Sequence, residues 1–199
     1  GDEIDGFPKK LRSNFRQQMA IRARAYGNIG KGYVCSHPDA GWTDGIAAIW
    51  LESTQGVYYW PCPECDQFSS PCPTADWRMK LDYERPKGMA DGEMLAMVEA
   101  TACMICPHCG SAIGNEHKAE MNARGQWVHE GQTIGLDGTI TGDVTPNDTW
   151  GFWISGYMSP MVSWGQLAKE LVGALQFFER TGKSDRLREI TAKSLGEVY

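Results

Sequence analysis

Two short cysteine pairs constrain this chain more than any other feature. Cys62-Pro-Glu-Cys65 closes the run Tyr58-Tyr59-Trp60-Pro61, and Cys106-Pro-His-Cys109 precedes Gly110, with 40 residues between Cys65 and Cys106. Each CPxC turn presents two thiolates to one point. Two such turns supply the four soft ligands that tetrahedral zinc takes. A closed four-thiolate set leaves no open position for water, so the expected Zn2+ is structural and not catalytic. The intervening stretch exceeds the ~15–20 residues of a compact ribbon, which predicts a zinc ribbon with an inserted strand and helix. Redox sites use one CxxC beside a βαβ unit, which argues against that role here. Seven cysteines occur in all. Cys72 and Cys103 stay open as ligands, because Cys103-Met-Ile-Cys106 is itself a CxxC, although both suit buried small hydrophobes. His108 sits between two ligands of a set that the cysteines already fill.

An odd cysteine count and an acidic start, Gly1-Asp2-Glu3-Ile4-Asp5, argue against a secreted disulfide scaffold and a secretory signal. No run of ~18 apolar residues occurs, so no membrane partner is expected. The 199 residues carry a net charge of −6, and that average hides an asymmetry. Residues 1–35 balance at +4 and residues 36–199 at −10. Phe7 to Cys35 holds Lys9, Lys10, Arg12, Arg16, Arg22, Arg24 and Lys31 without one acid. Such a run is either a solvated helix face or a surface facing the phosphates of nucleotide or DNA.

Residues 7–26 read as a helix, with Leu11, Phe15, Met19 and Ala23 as a core stripe, Pro8 in the first turn and Gly27 as the stop. A short strand is expected at Lys31–Cys35, a helix near Asp44–Glu52, and a strand at Val57–Trp60 leading into the first cysteine turn. Trp77–Leu81 alternates like a strand, Asp91 caps a helix to Ala100, and Thr101–Ile105 leads into the second turn. Asn115 is expected to cap a helix that stops near Gly125. Residues 129–149, rich in Gly, Thr and Asp, read as a loop or hairpin. Ser163 with Gln166 forms a capping-box pattern ahead of an apolar stripe from Leu167 to Phe178, Gly182 stops that helix, and Ser184 caps the next. Trp150, Trp153 and Trp164 suit a core better than base stacking.

Asp2-Glu3 has the form of an ATPase strand end, where an Asp holds magnesium and a following Glu polarises the attacking water. No GxxxxGK[ST] loop occurs in these residues. DEIDGFP, the basic helix, the strand ending in SHPD, YYWPCPEC, CPHCGSAI, GQW, GFWISGYMSP, SWGQLAKEL and SLGEVY follow one another in order. In that order they resemble stations of the large terminase subunit of tailed phages, of the lambda-like GpA type. The resemblance implies an enzyme: an ATP-driven motor that translocates viral DNA into procapsids and an endonuclease that cuts it. On that basis Asp2 matches the magnesium-binding Asp and Glu3 the catalytic Glu. Ser36 matches the nucleotide-sensing position, with His37 and Asp39 as departures from the family's pattern. Arg22 or Arg24 is a candidate to reach phosphate or a neighbouring subunit. The CPxC turns match a zinc-binding insertion, with Asp66 where Gly is usual.

The implied architecture is α+β. Residues 1–55 form the C-terminal part of a P-loop ATPase α/β sheet, with the Walker B end and the coupling strand. Residues 56–128 form the zinc-ribbon insertion. Residues 129–199 form a loop and helical segment leading to a nuclease domain. The resemblance places the P-loop before residue 1 and the nuclease acids after residue 199. This stretch alone is therefore expected to be inactive. Mg2+ and ATP, double-stranded DNA, the small terminase subunit, the portal and a homo-oligomeric motor belong to the full-length protein, acting in the host cytoplasm during virion assembly. The competing reading is a stand-alone zinc-ribbon module that binds nucleic acid or protein.

Overall fold

A computed structural model describes residues 3–12 and 14–199. The basic start is broken into pieces. α1 (Lys9–Arg12) and α2 (Phe15–Ala23) are separate, and a 3-10 stretch covers Arg24–Ile29. The single helix expected over 7–26 does not form, and its stripe is not core, since Leu11 is 49% exposed. Arg12 turns inward to the Asp44 carboxylate at 3.0 Å and the Asp5 carbonyl at 2.8 Å. Seven bases without an acid also lack the opposite-charge i,i+4 pairs that support a lone helix. No strand forms over Lys31–Cys35; Cys35 is an isolated bridge residue. Among the described residues, 3–55 hold short helices, turns and the Cys35 bridge residue.

α3 (Gly45–Leu51) begins at Asp44, whose carboxylate accepts the Gly45 N–H at 2.8 Å. The remaining elements run β1 (Gly56–Pro61), β2 (Phe68–Ser69), β3 (Lys80–Asp82), α4 (Asp91–Thr101), β4 (Cys103–Ile105), β5 (Ala112–Ile113), α5 (Lys118–Arg124), β6 (Gln126–Val128), β7 (Thr133–Ile134), β8 (Ile140–Thr141), β9 (Phe152–Trp153), α6 (Trp164–Thr181) and α7 (Asp185–Glu189). A π-helical turn, Ile190–Leu195, ends the helical part. β1 is the spine. It pairs antiparallel with β2 and β6, and parallel with β9. β3, β4 and β5 make a second antiparallel sheet, and β7 with β8 a small hairpin.

The two sheets and α6 share one core. Trp60, Met104, Ile113, Met121, Trp164 and Leu167 pack together in it, and α4 meets α6 through Met94, Val98, Ala168 and Val172. Two expected caps act elsewhere. Ala90 takes the N-cap of α4, and the Asp91 carboxylate instead meets Arg180 at 2.8 Å and Gln176 at 3.2 Å. Asn115 does not cap its own turn; its Oδ1 accepts the Trp164 N–H at 2.9 Å, an unsatisfied donor in the first turn of α6. Ser163 does cap α6, accepting the Gln166 N–H at 3.0 Å. Lys118 is buried: its Nζ donates to the Ser159 and Val162 carbonyls at 3.2 and 2.6 Å. Burial pulls its pKa down to about 8.

Two glycines of α6 give opposite expectations. A Cβ on Gly165 would sit 2.2 Å from the Glu99 carbonyl oxygen at the end of α4, whereas one on Gly173 meets nothing within 4 Å. Gly165→Ala is expected to lower stability by ~2 kcal/mol through overpacking. Gly173→Ala is expected to raise it by ~0.5–1 kcal/mol through helix propensity. Urea unfolding midpoints of the two variants check the pair, and shifts of the same sign would contradict the packing described.

Candidate functional site

Each CPxC turn sits at the tip of a hairpin. β1 and β2 pair Trp60 with Ser69 and Pro61 with Phe68, which leaves Cys62–Gln67 as the tip. β4 and β5 pair Met104 with Ile113 and Ile105 with Ala112, which leaves Cys106–Ser111. The two tips share one hydrogen-bond pattern. The Cys62 N–H donates to the Gln67 carbonyl and the Asp66 N–H to the Cys62 carbonyl, at 3.0 and 2.8 Å. The Cys106 N–H donates to the Ser111 carbonyl and the Gly110 N–H to the Cys106 carbonyl, at 3.1 and 3.0 Å. The fourth residue past the first cysteine is left-handed in both, Asp66 at φ 57° and Gly110 at φ 75°. Gly110 adopts that region freely, and Asp is among the few other residues that tolerate it. Asp66 gains an ion pair there, with Arg124 at 2.8 Å.

The two tips face each other. Cys62 Sγ lies 3.8 Å from Cys109 Sγ, and Cys65 Sγ lies 3.9 Å from Cys106 Sγ. All four sulfurs lie within 4.8 Å of one another. Sulfurs at ~2.3 Å from a central zinc span tetrahedral edges of ~3.8 Å, so the spacing and the donor chemistry fit that ion. A bound cation would have to displace protons from these sulfurs. Burial pushes the Cys62 thiol up to about 12, and burial also raises Cys65. Hydrogen bonds from Ser111 pull Cys109 down to about 6, its Sγ lying 3.1 Å from the Ser111 Oγ. Four thiolates this close need a cation to balance them.

The other candidates fall outside this cluster. Cys72 is fully buried with its Sγ 3.5 Å from the Trp153 carbonyl, and burial raises its pKa. Cys103 is half-buried on β4, away from the four sulfurs, and burial raises it too. His108 ties the two tips together: its Nε2 lies 3.0 Å from the Phe68 carbonyl, and its ring is 5.0 Å from that of Trp77. No pattern of residue types announced that role, because Phe68 is 40 residues away in sequence.

A second constellation gathers at the chain's start. Asp2 lies outside the described residues. Glu3 is left-handed at φ 53°, and its carboxylate is 3.0 Å from His37 Nδ1. Asp5, which sequence reasoning did not single out, is the hub. Its N–H donates to Ser36 Oγ at 3.0 Å, and its buried carboxylate accepts the Ala40 and Ile46 N–H groups at 3.0 and 2.7 Å. A carboxylate at the start of α3 is also favoured by that helix's positive end. Asp5 thus binds Ser36, Ala40 and the start of α3 into one joint. Its partners lie 35 and 41 residues away, so no local pattern could have named it. Arg22 and Arg24 lie exposed on α2 and the turn after it.

Residues 1–127 match the family model of the phage terminase large subunit gpA ATPase domain. The chain belongs to the GpA family of phage terminase large subunits. Residues 149–199 match the model of the terminase large subunit gpA endonuclease domain. No curated protein and no solved structure matches the chain. In this terminase chain the two matched stretches share structure. β9 of the second pairs with β1 of the first, and the Trp164 ring lies 6.1 Å from that of Trp60. Arg78 pairs with Glu197, and Arg188 holds Asp39 through its carboxylate and its carbonyl, both at 2.7 Å. The loop carrying Ser36 is thereby gripped from both sides. No helix among the described residues is long and apolar enough to cross a membrane, and the four cysteines are the only cluster among them suited to a metal.

Cys106→Ser is expected to abolish binding of the ~one zinc ion per chain that the four sulfurs fit. Acid is expected to release the metal as well. Protons compete with the metal for the thiolates. Metal analysis of reduced protein, with and without the variant and across falling pH, checks both statements.

Proposed function

We propose that these residues work within the ATP-driven DNA-packaging motor and endonuclease of a tailed phage. The observation that carries the reading is the joint at Asp5, in a chain of the terminase family. One buried carboxylate and one N–H hold the acidic start against the loop bearing Ser36. In this reading Asp2 would hold the magnesium of bound ATP, Glu3 would polarise the attacking water, and Ser36, bonded by the Asp5 N–H, would respond to the nucleotide state. His37 holds the Glu3 carboxylate in place until nucleotide arrives. Mg2+ supplies charge neutralisation at the phosphates.

Cys62, Cys65, Cys106 and Cys109 hold a structural Zn2+ in this reading. Bound there, it would cross-link the two hairpin tips of a zinc-ribbon module, residues 56–128, and would do no chemistry. Residues 1–55 serve the ATPase, and residues 129–199 lead into the nuclease. Double-stranded DNA, the small terminase subunit and the portal are the partners, and the motor is a homo-oligomer in the host cytoplasm during virion assembly.

Glu3→Gln in the terminase large subunit is expected to cut ATP turnover by ~10²–10⁴-fold while nucleotide binding persists, as for loss of a group that polarises water. Turnover within about twofold of wild type would refute the assignment. The 199-residue chain alone, which holds no GxxxxGK[ST] loop, is expected to hydrolyse no ATP.

A further inference from the structure

The loop that carries Ser36 is tied to two different parts of the chain. Ser36 Oγ accepts the Asp5 N–H at 3.0 Å, and the Ala40 N–H donates to the Asp5 carboxylate at 3.0 Å. His37 Nδ1 lies 3.0 Å from the Glu3 carboxylate. Asp39, between them, is held from elsewhere. Its carboxylate accepts from Arg188 Nε and its carbonyl from an Arg188 terminal N–H, both at 2.7 Å, across 149 positions of sequence. A guanidinium that takes the side chain and the main chain of one residue fixes that residue's backbone as well as its charge. Glu3 and Asp5 belong to the stretch matched to the ATPase domain, and Arg188 to the stretch matched to the endonuclease domain.

Arg188 stands on a fixed base. On the same short helix, Arg186 lays its guanidinium over the Phe177 ring of α6 at 4.4 Å. In the turn that follows, Ala192 and Leu195 are buried. The Leu195 carbonyl accepts from Ser155 Oγ at 3.3 Å and the Gly196 carbonyl from Trp153 Nε1 at 2.9 Å. Glu197 pairs with Arg78. Trp42, just past the loop, stacks on Trp153 with ring centroids 5.3 Å apart, a second contact that keeps the loop docked when Asp39 is released. The Asp39–Arg188 pair is half-exposed. Pairs of that kind bias an equilibrium by up to ~fivefold, small enough to be made and broken as a loop moves.

We infer that Asp39 and Arg188 are positioning residues that link the nucleotide-sensing loop to the endonuclease-matched helix α7. Arg188 sets the place of the Ser36 loop, and displacement of that loop by nucleotide passes through the pair to α7 and the turn 190–195. Neither residue touches the reacting atoms. The inference rests on the reading of Glu3 and Ser36 as parts of a nucleotide site, and it adds how that site is regulated. By linkage, whatever moves α7 shifts nucleotide affinity as well.

Hydrogen–deuterium exchange of the full-length terminase large subunit tests it, with and without Mg2+ and a non-hydrolysable ATP analogue. In wild type, amides of 36–40 and of 185–195 are both expected to change exchange rate by ~twofold or more when nucleotide binds. In Arg188→Gln the change at 36–40 is expected to persist, while that at 185–195 falls below about half of its wild-type size. Asp39→Ala is expected to act likewise, and it carries the test should Arg188→Gln disturb the core. The double variant is expected to do no more than either single one, because both remove the same link. A merely structural pair would lower the melting temperature, measured in parallel, without separating the two responses. A response at 185–195 that survives in Arg188→Gln overturns the inference. So does a wild type in which 36–40 responds alone, and the nucleotide-site reading then stands without it. A wild type that binds the analogue with no response in either segment overturns the Ser36 assignment and the inference together.

Discussion

Four sulfurs can lie within 4.8 Å of one another only if two hairpin tips from distant parts of the chain meet. That meeting organises the rest. β1 carries the first tip and also pairs with β6 and β9, so placing Cys62 and Cys65 places the main sheet. β4 carries the second tip and delivers Met104 and Cys106 to the core that holds Trp60 and Trp164. Thiolates at such distances repel and are costly to bury, which makes a bound cation part of the folding energy of the whole core. His108, bonded to the Phe68 carbonyl, adds a second tie between the two hairpins.

The joint at Asp5 is a second, smaller constraint of the same kind. A carboxylate that accepts two backbone N–H groups and carries Ser36 on its own N–H is rigid. The grip of Arg188 on Asp39 is different. Both partners are substantially exposed, and such pairs contribute ~0–1 kcal/mol. The endonuclease-matched stretch supplies the light hold, while β9 and α6 of that same stretch are built into the common core.

Local signals read well where a local interaction decides the outcome. Asp44 starting α3, Ser163 capping α6 and Gly182 ending it are contacts within a few residues, and all three stand in the structure. Reading failed where a distant group claimed the side chain. Asn115 and Asp91 have the chemistry of caps for their own helices, yet both turn to α6. The tryptophans divide likewise: Trp164 and Trp153 are buried, while Trp150, in the same run, is 59% exposed. The helix over 7–26 failed for a related reason, because Arg12 is drawn out of its row by Asp5 and Asp44.

The sequence by itself determined the family, through the order of motifs from DEIDGFP to SLGEVY, and the four-cysteine set, because CPxC turns are local and their chemistry is specific. Only the tertiary structure decided that Cys72 and Cys103 lie outside the sulfur cluster, that the Asp5 carboxylate joins the chain's start to α3, and that Trp150 and Phe152 face outward. Those outcomes depend on which residues 35 to 81 positions apart come to lie within 3.0–3.5 Å. Spacing along the chain carries no information about that once it exceeds the reach of a turn, a helix or a hairpin.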